Sequence, residues 1–277
     1  MHNLFKTFIH RRALLGFLFY TLFFTESCTT TTEGGAVGVD RKQLLIPLIS
    51  SEQVNQMALS NYQQVKTDAT SKKTLDTNPE QYQRVLAISK RIIPQTTIFR
   101  KDAGSWAWEV HVITSPEVNA YCMPGGKIIF YTGLIEKLKA TDAEIAAVMG
   151  HEIAHALREH GRERVTEGML QQVGLETLAA SGKISEKTAQ IAGMGSQLLL
   201  TLPNSRRQES EADQIGLELM ARAGYNPQEA VELWKKMETL SGGQKPPEIL
   251  STHPSDSTRI TKIQNWLPQV MPLYKKQ

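Results

Sequence analysis

The chain is 277 residues long, with 40% hydrophobic and 21% charged residues, a composition that excludes disordered, collagen-like and coiled-coil classes and allows one large or two small domains. Its 31 Lys+Arg against 28 Asp+Glu give a net charge of only +3, and the body carries no run of about 20 apolar residues, so neither a nucleic-acid-binding protein nor a polytopic membrane protein is indicated. Two cysteines, Cys28 and Cys122, are too few for a disulfide framework, and the core must be held by packing.

Lys6, His10, Arg11 and Arg12 precede an apolar stretch from Ala13 to Phe24. That stretch is too short to cross about 30 Å of hydrocarbon as a helix, so residues 1–27 read as an export signal. Without them 28 Lys+Arg face 27 Asp+Glu, a balance of +1. Ser27-Cys28, followed by the polar run Thr29 to Gly35, resembles a bacterial lipoprotein signal, departing from its usual pattern at Thr25 and Glu26. The resemblance implies a lipid on Cys28, a tether over 28–45 and anchorage to a membrane. With Thr29 rather than Asp after the cysteine, it implies a periplasm-facing lipoprotein of the bacterial envelope, outer membrane favoured.

Beyond the tether, Val54, Met57, Ala58, Tyr62 and Val65 recur at helical spacing and predict a helix over 51–67. Asn78-Pro79 is a cap followed by a proline at the first helical position; Val85, Ile88 and Ile92 mark the buried face until Pro94. Trp106, Trp108, Val110 and Val112 alternate with polar or small residues as in a half-buried strand. Val118–Met123 and Lys127–Tyr131 bracket a Pro124-Gly125-Gly126 turn, which together predict a small antiparallel sheet. Thr141-Asp142-Ala143-Glu144 is a capping box opening a helix to about Arg162. Further helices are expected near 166–181, 185–201, 204–223, 227–240 and 256–266, with the apolar Ile191–Leu200 stretch read as core.

The most informative feature lies in the capped helix: His151-Glu152-Ile153-Ala154-His155. Positions i and i+4 share a face, so both imidazoles can converge on one ion, while Glu152, about 100° around, reaches a water on that ion. A catalytic zinc needs a third protein ligand and an open fourth position. Glu209-Ser210-Glu211-Ala212-Asp213 offers two carboxylates at i and i+4, one for the metal and one for the far N–H of a ligating histidine. Glu211 rivals Glu209 but points away from the Asp213 face.

These stretches, together with Asn119-Ala120, Pro124-Gly125-Gly126, Ser205-Arg206, Gly216, His253-Pro254 and Arg259, resemble the zinc endopeptidase family that contains the CAAX prenyl proteases, the heat-shock protease HtpX and BepA-like periplasmic proteases. The similarity spans about 50–265. It implies an α+β, mainly helical, zincin-like metalloprotease domain over 46–270, its small antiparallel sheet beside the HExxH helix, with 271–277 as a tail. It further implies one Zn2+ held by His151, His155 and Glu209, Glu152 as catalytic base and Asp213 as orienter of a ligand. Asn119, Gly125 and Gly126 would contact substrate, and His253 would either approach the metal in a latent state or bind the reacting oxygen. Arg259 is expected to be structural. His160 is not expected to be a ligand, because it would lie about 140° around the helix from His155. His111 is expected to be a surface or packed residue, Cys122 a buried small apolar group, and the Trp106–Trp108 pair core and sheet cover.

Zinc-activated water with Glu152 as base would hydrolyse peptide bonds. Strand 127–131, at the cleft edge, would bind extended substrates by main-chain pairing, making unfolded or misfolded envelope proteins the expected substrates. The competing expectation is a lipid-anchored chaperone or assembly factor whose zinc is structural or whose cleft is held shut by His253.

Overall fold

A computed structural model describes residues 28–45, 49–178, 203–241, 248–254 and 258–275. The expected signal at 1–27, the helix at 185–201 and the Ile191–Leu200 stretch lie outside the described residues. Nine helices are described: α1 Ser51–Ser71, α2 Pro79–Ile92, α3 Thr132–Lys137, α4 Asp142–Leu157, α5 His160–Leu178, α6 Arg206–Arg222, α7 Glu229–Ser241, α8 Glu248–Thr252 and α9 Arg259–Val270. Among the described residues no helix is long and apolar enough to cross a membrane.

The caps are where side-chain chemistry demands them. Thr141 and Glu144 form the reciprocal capping box of α4, Ser205 and Gln208 that of α6, and Asn78 with Pro79 opens α2. Helix α4 lies at the centre of the domain. Ile145, Met149, Ile153 and Leu157 on it are fully buried, and the helix is enclosed by α2, α6, α7 and the sheet. A helix apolar nearly all round belongs in a core, so the histidines and glutamate it carries are drawn into the interior with it.

The sheet consists of β3 Glu109–Ile113, β4 Ala120–Met123 and β5 Lys127–Tyr131, in the order β3-β5-β4. β4 and β5 are an antiparallel hairpin, joined by a turn with Pro124 at its second position and Gly125, at φ +79, at its third. β3 pairs with β5 in parallel, Glu109 opposite Lys127 and Ile113 opposite Tyr131. The sheet is therefore mixed rather than wholly antiparallel. Alternation in a strand reports its buried face and says nothing about its partner.

Two further departures position the site. The helix expected to reach Arg162 stops at Leu157, Glu159 takes φ +50, and the chain restarts as α5 at His160. Residues 29–45, read from composition as a polar tether, lie against the domain. β1 Cys28–Thr29 pairs with β2 Gln43–Leu44, Val37 and Val39 join the main core beside Phe99, and the Glu33 N–H donates to the Phe99 carbonyl at 2.7 Å. Valines spaced among glycines supply enough apolar surface to hold this strap down.

Candidate metal centre

Helices α4 and α6 cross in backbone contact. A Cβ on Gly150 would stand 2.8 Å from the Gly216 carbonyl oxygen, and one on Gly216 would stand 2.8 Å from the His151 nitrogen. The crossing brings one turn of each helix face to face. His151 Nε2 lies 3.0 Å from His155 Nε2, and Glu209 approaches both, Oε2 at 3.3 Å from His151 Nε2 and Oε1 at 3.3 Å from His155 Nε2. His253, just after α8, closes the group: its Nδ1 is 3.0 Å from Glu209 Oε1 and 3.2 Å from His151 Nε2. Ligand atoms of His151, His155, Glu209 and His253 all lie within 4.8 Å of one another, and every one of these side chains is buried.

The donor set fits a zinc ion. The Asp213 carboxylate, 2.9 Å from His151 Nδ1, accepts the proton of that nitrogen, and His160 Nδ1 lies 2.8 Å from His155 Nδ1. Both Nε2 atoms then face each other at 3.0 Å beside the Glu209 carboxylate, a spacing that calls for a proton or a metal cation shared between them. Glu152 Oε1 is buried with no hydrogen-bond partner among the described residues, which marks a site built for something more than protein contacts. Imidazole nitrogens with one carboxylate oxygen are zinc ligands.

The electrostatics agree. Burial would raise the Glu209 carboxyl, but His253 and His151 hold it well below the ordinary carboxylate range. Burial would lower His151, but Glu209 and Asp213 outweigh it and lift the imidazole to about 10, a measure of how strongly this spot attracts positive charge. Glu152 is raised, chiefly by its own burial, the direction that turns a carboxylate into a useful base near neutrality. Its Oε1 is 3.6 Å from His253 Nε2.

Most residues singled out in the sequence thus meet in one place, and two were underestimated. Arg259, expected to be structural, bridges the site: Nη2 donates to Asp213 Oδ1 at 2.7 Å, Nη1 is 3.0 Å from Glu209 Oε2, and Trp234 covers the guanidinium at 3.4 Å. His160 is outside the ligand cluster yet touches the far nitrogen of His155, because the break at Glu159 turns it back. Glu211 faces His160, with Oε2 at 3.2 Å from Nε2, and lies away from the cluster.

A cavity of about 260 Å3 opens beside the metal centre, lined by Asn119, Tyr121, Pro124, Glu152, His155 and His253 among others. Gly125 and Gly126 are not among the residues lining it: they form the turn, Gly126 lying under the Trp108 ring. The expected cleft edge also changes. β5 (127–131) is paired on both sides in mid-sheet, and β4 borders the cleft instead. Cys122 is a buried residue of that edge strand, and His111 is tied to Asp76 with Nδ1 to Oδ2 at 2.6 Å.

An HExxH helix crossed by an ExxxD helix, with a buried His-His-Glu group and an adjacent edge strand, defines a zincin of the glutamate type. The chain belongs to Peptidase family M48, whose family profile matches residues 79–267, and this family uses zinc. It is similar to the mitochondrial metalloendopeptidase OMA1 of Schizosaccharomyces pombe, 39% identical over 163 residues that cover 58% of this chain and 47% of that protein. The metalloendopeptidase OMA1 of Homo sapiens is 31% identical, covering 59% of this chain and 33% of that protein. The β-barrel assembly-enhancing protease of Escherichia coli is 29% identical, covering 58% and 35%. The chain thus matches a third to a half of the length of these relatives. The location expected from the N-terminal residues is overturned: relatives at 31–39% identity are named as mitochondrial enzymes, which speaks against a bacterial outer-membrane lipoprotein.

Proposed function

We propose that this chain is an endopeptidase that hydrolyses peptide bonds in extended segments of unfolded or misfolded proteins. The observation that carries the reading is the juxtaposition, in one cleft, of the His151–His155–Glu209 cluster, the buried Glu152 carboxylate and β4, which among the described residues has no strand beyond it. The Tyr131 N–H donates to the Asn119 carbonyl and the Gly126 N–H to the Met123 carbonyl. Residues 119, 121 and 123 therefore turn their main-chain groups toward β5, leaving those of Ala120 and Cys122 facing outward. The Asn119 side chain accepts from the Ala120 N–H at 2.9 Å, and the Cys122 main-chain groups point away from β5 toward the cleft. An extended peptide adds to such an edge through main-chain bonds, a mode that selects unfolded backbone over sequence. The relatives named as proteases support the peptide bond as the target.

When bound, zinc supplies Lewis acidity and an acidified water. Glu152 takes the proton of the attacking water and delivers it to the leaving amine, and its buried surroundings keep its affinity for the proton high enough to do both. Asp213 holds the Nδ1 proton of His151, and Arg259 holds Asp213 and Glu209 in place. With His253 inside the ligand cluster, the arrangement is that of a closed resting site, in which His253 must withdraw before substrate enters.

Casein digestion by the purified chain tests the reading. Glu152→Gln should keep its zinc and lose about 10²–10⁴-fold in turnover; equal proteolysis by the two proteins would overturn it.

A further inference from the structure

We infer that the N-terminal strap completes the metal site: Arg41 holds Glu211, Glu211 holds His160, and His160 fixes the tautomer and direction of His155. The inference rests on reading His155 as a zinc ligand, and each link is a direct contact. His155 Nδ1 and His160 Nδ1 are 2.8 Å apart. If His155 turns Nε2 to the metal, its proton is on Nδ1, so it donates and His160 Nδ1 accepts. The remaining His160 proton is then on Nε2, which lies 3.2 Å from Glu211 Oε2.

Glu211 can receive it because two arginines keep that carboxylate anionic and oriented. Arg158, fully buried, donates to Oε2 from Nε at 3.0 Å and from Nη2 at 2.9 Å. Arg41 donates through Nε to Oε1 and through Nη2 to Oε2, the latter at 3.1 Å, and engages Glu163 with both terminal nitrogens at 2.6 and 2.9 Å. Arg41 belongs to the strap, outside the 79–267 span that the family profile matches. The strap is tied to the same network at other points. Arg158 Nη1 donates to the hydroxyls of Thr30 and Thr32, and Gln43 donates to the Arg158 carbonyl and to Glu163.

A carboxylate behind a histidine behind a metal ligand raises ligand basicity and fixes ring orientation, and losing such a partner costs about 10–100-fold in metal affinity. His160, Glu211 and Arg41 are positioning residues in this sense. Detachment of the strap would loosen the metal without touching a ligand.

The test is zinc affinity of the full chain, by competition with a chromophoric chelator, alongside the visible absorption of the Co2+-loaded protein. His160→Ala should bind zinc about 10–100-fold more weakly, and Arg41→Ala about 10-fold more weakly, both with a changed Co2+ spectrum. His160→Gln, which can accept from His155 and donate to Glu211, should recover most of the affinity. If Arg41→Ala lowers the Tm but keeps wild-type zinc affinity and Co2+ spectrum, the strap is only a brace and the inference falls. Should His160→Ala fail to fold, Arg41→Ala and His160→Gln decide the matter. A wild-type chain that takes up no zinc would instead sink the ligand reading itself.

Discussion

Gly150 and Gly216 face each other across the α4–α6 crossing so closely that neither has room for a methyl group. A Cβ on Gly216 would lie 2.8 Å from the His151 nitrogen and 3.0 Å from the Gly150 carbonyl carbon. These are backbone atoms, which cannot swing aside as a side-chain end can. The separation of the two helix axes is thereby fixed at the point where His151 must meet Glu209. Gly216→Ala should cost about 1–3 kcal/mol of stability by overpacking and reduce bound zinc by splaying the ligands. Gly168→Ala on α5, where nothing among the described residues lies within 4 Å, should instead be neutral or stabilising by up to about 1 kcal/mol. Thermal melts and metal content of the two variants check this; equal behaviour would show that the close approach is unimportant.

The position of His253 makes a separate prediction. Its Nδ1 lies 3.0 Å from Glu209 Oε1, inside the ligand cluster, while its Nε2 faces Glu152 at 3.6 Å. A side chain that fills the place a substrate or water must take restrains turnover. His253→Ala should therefore keep zinc on the other three ligands and cleave casein faster, by several-fold to about 10-fold, a change of up to about 1.4 kcal/mol in the barrier. A fall in turnover would assign His253 to binding the reacting oxygen instead.

The corner after α4 carries a pH dependence. Burial would raise the Glu159 carboxyl, but Arg162, Arg100 and the Ser51 hydroxyl outweigh it and hold the group below its ordinary value of 4.5. A carboxylate whose folded pKa is depressed stabilises the fold above its unfolded pKa, and that contribution is lost as pH falls through the folded value. Glu159→Gln should lower stability at pH 7 by about 1.5–3 kcal/mol, a Tm drop of roughly 3–12 °C. The gap to wild type should narrow as the pH is taken below 4.5. A gap constant from pH 7 to 3.5 would show that the ion pairs at this corner do not stabilise the fold.

The parts of the site legible in the sequence were those that local geometry dictates. His151 and His155 share a face because a helix repeats every 3.6 residues, and the Thr141–Glu144 box fixed where that helix begins. Glu209 and Asp213 followed by the same logic on a second helix. What stayed hidden depends on contacts distant in the chain or on one unusual backbone angle. Arg259 reaches Asp213 from 46 positions away, and no local pattern announces that. The contact of His160 with the far nitrogen of His155 is hidden because Glu159 adopts a left-handed conformation without the glycine that usually signals one. Alternation does not reveal pairing order, so the mid-sheet place of β5 is invisible in the sequence, and the strap reads as a tether because its few valines are dispersed among polar residues. The hairpin turn at Pro124-Gly125, by contrast, was plain from its two residues.

If His151, His155 and Glu209 hold one zinc ion between two crossed helices, elemental analysis of the dialysed full chain will register it. The wild-type chain should carry close to one zinc and Glu209→Ala close to none, with the helical content of the two proteins the same. A Glu209→Ala protein that is folded and still carries a full equivalent of zinc would contradict it.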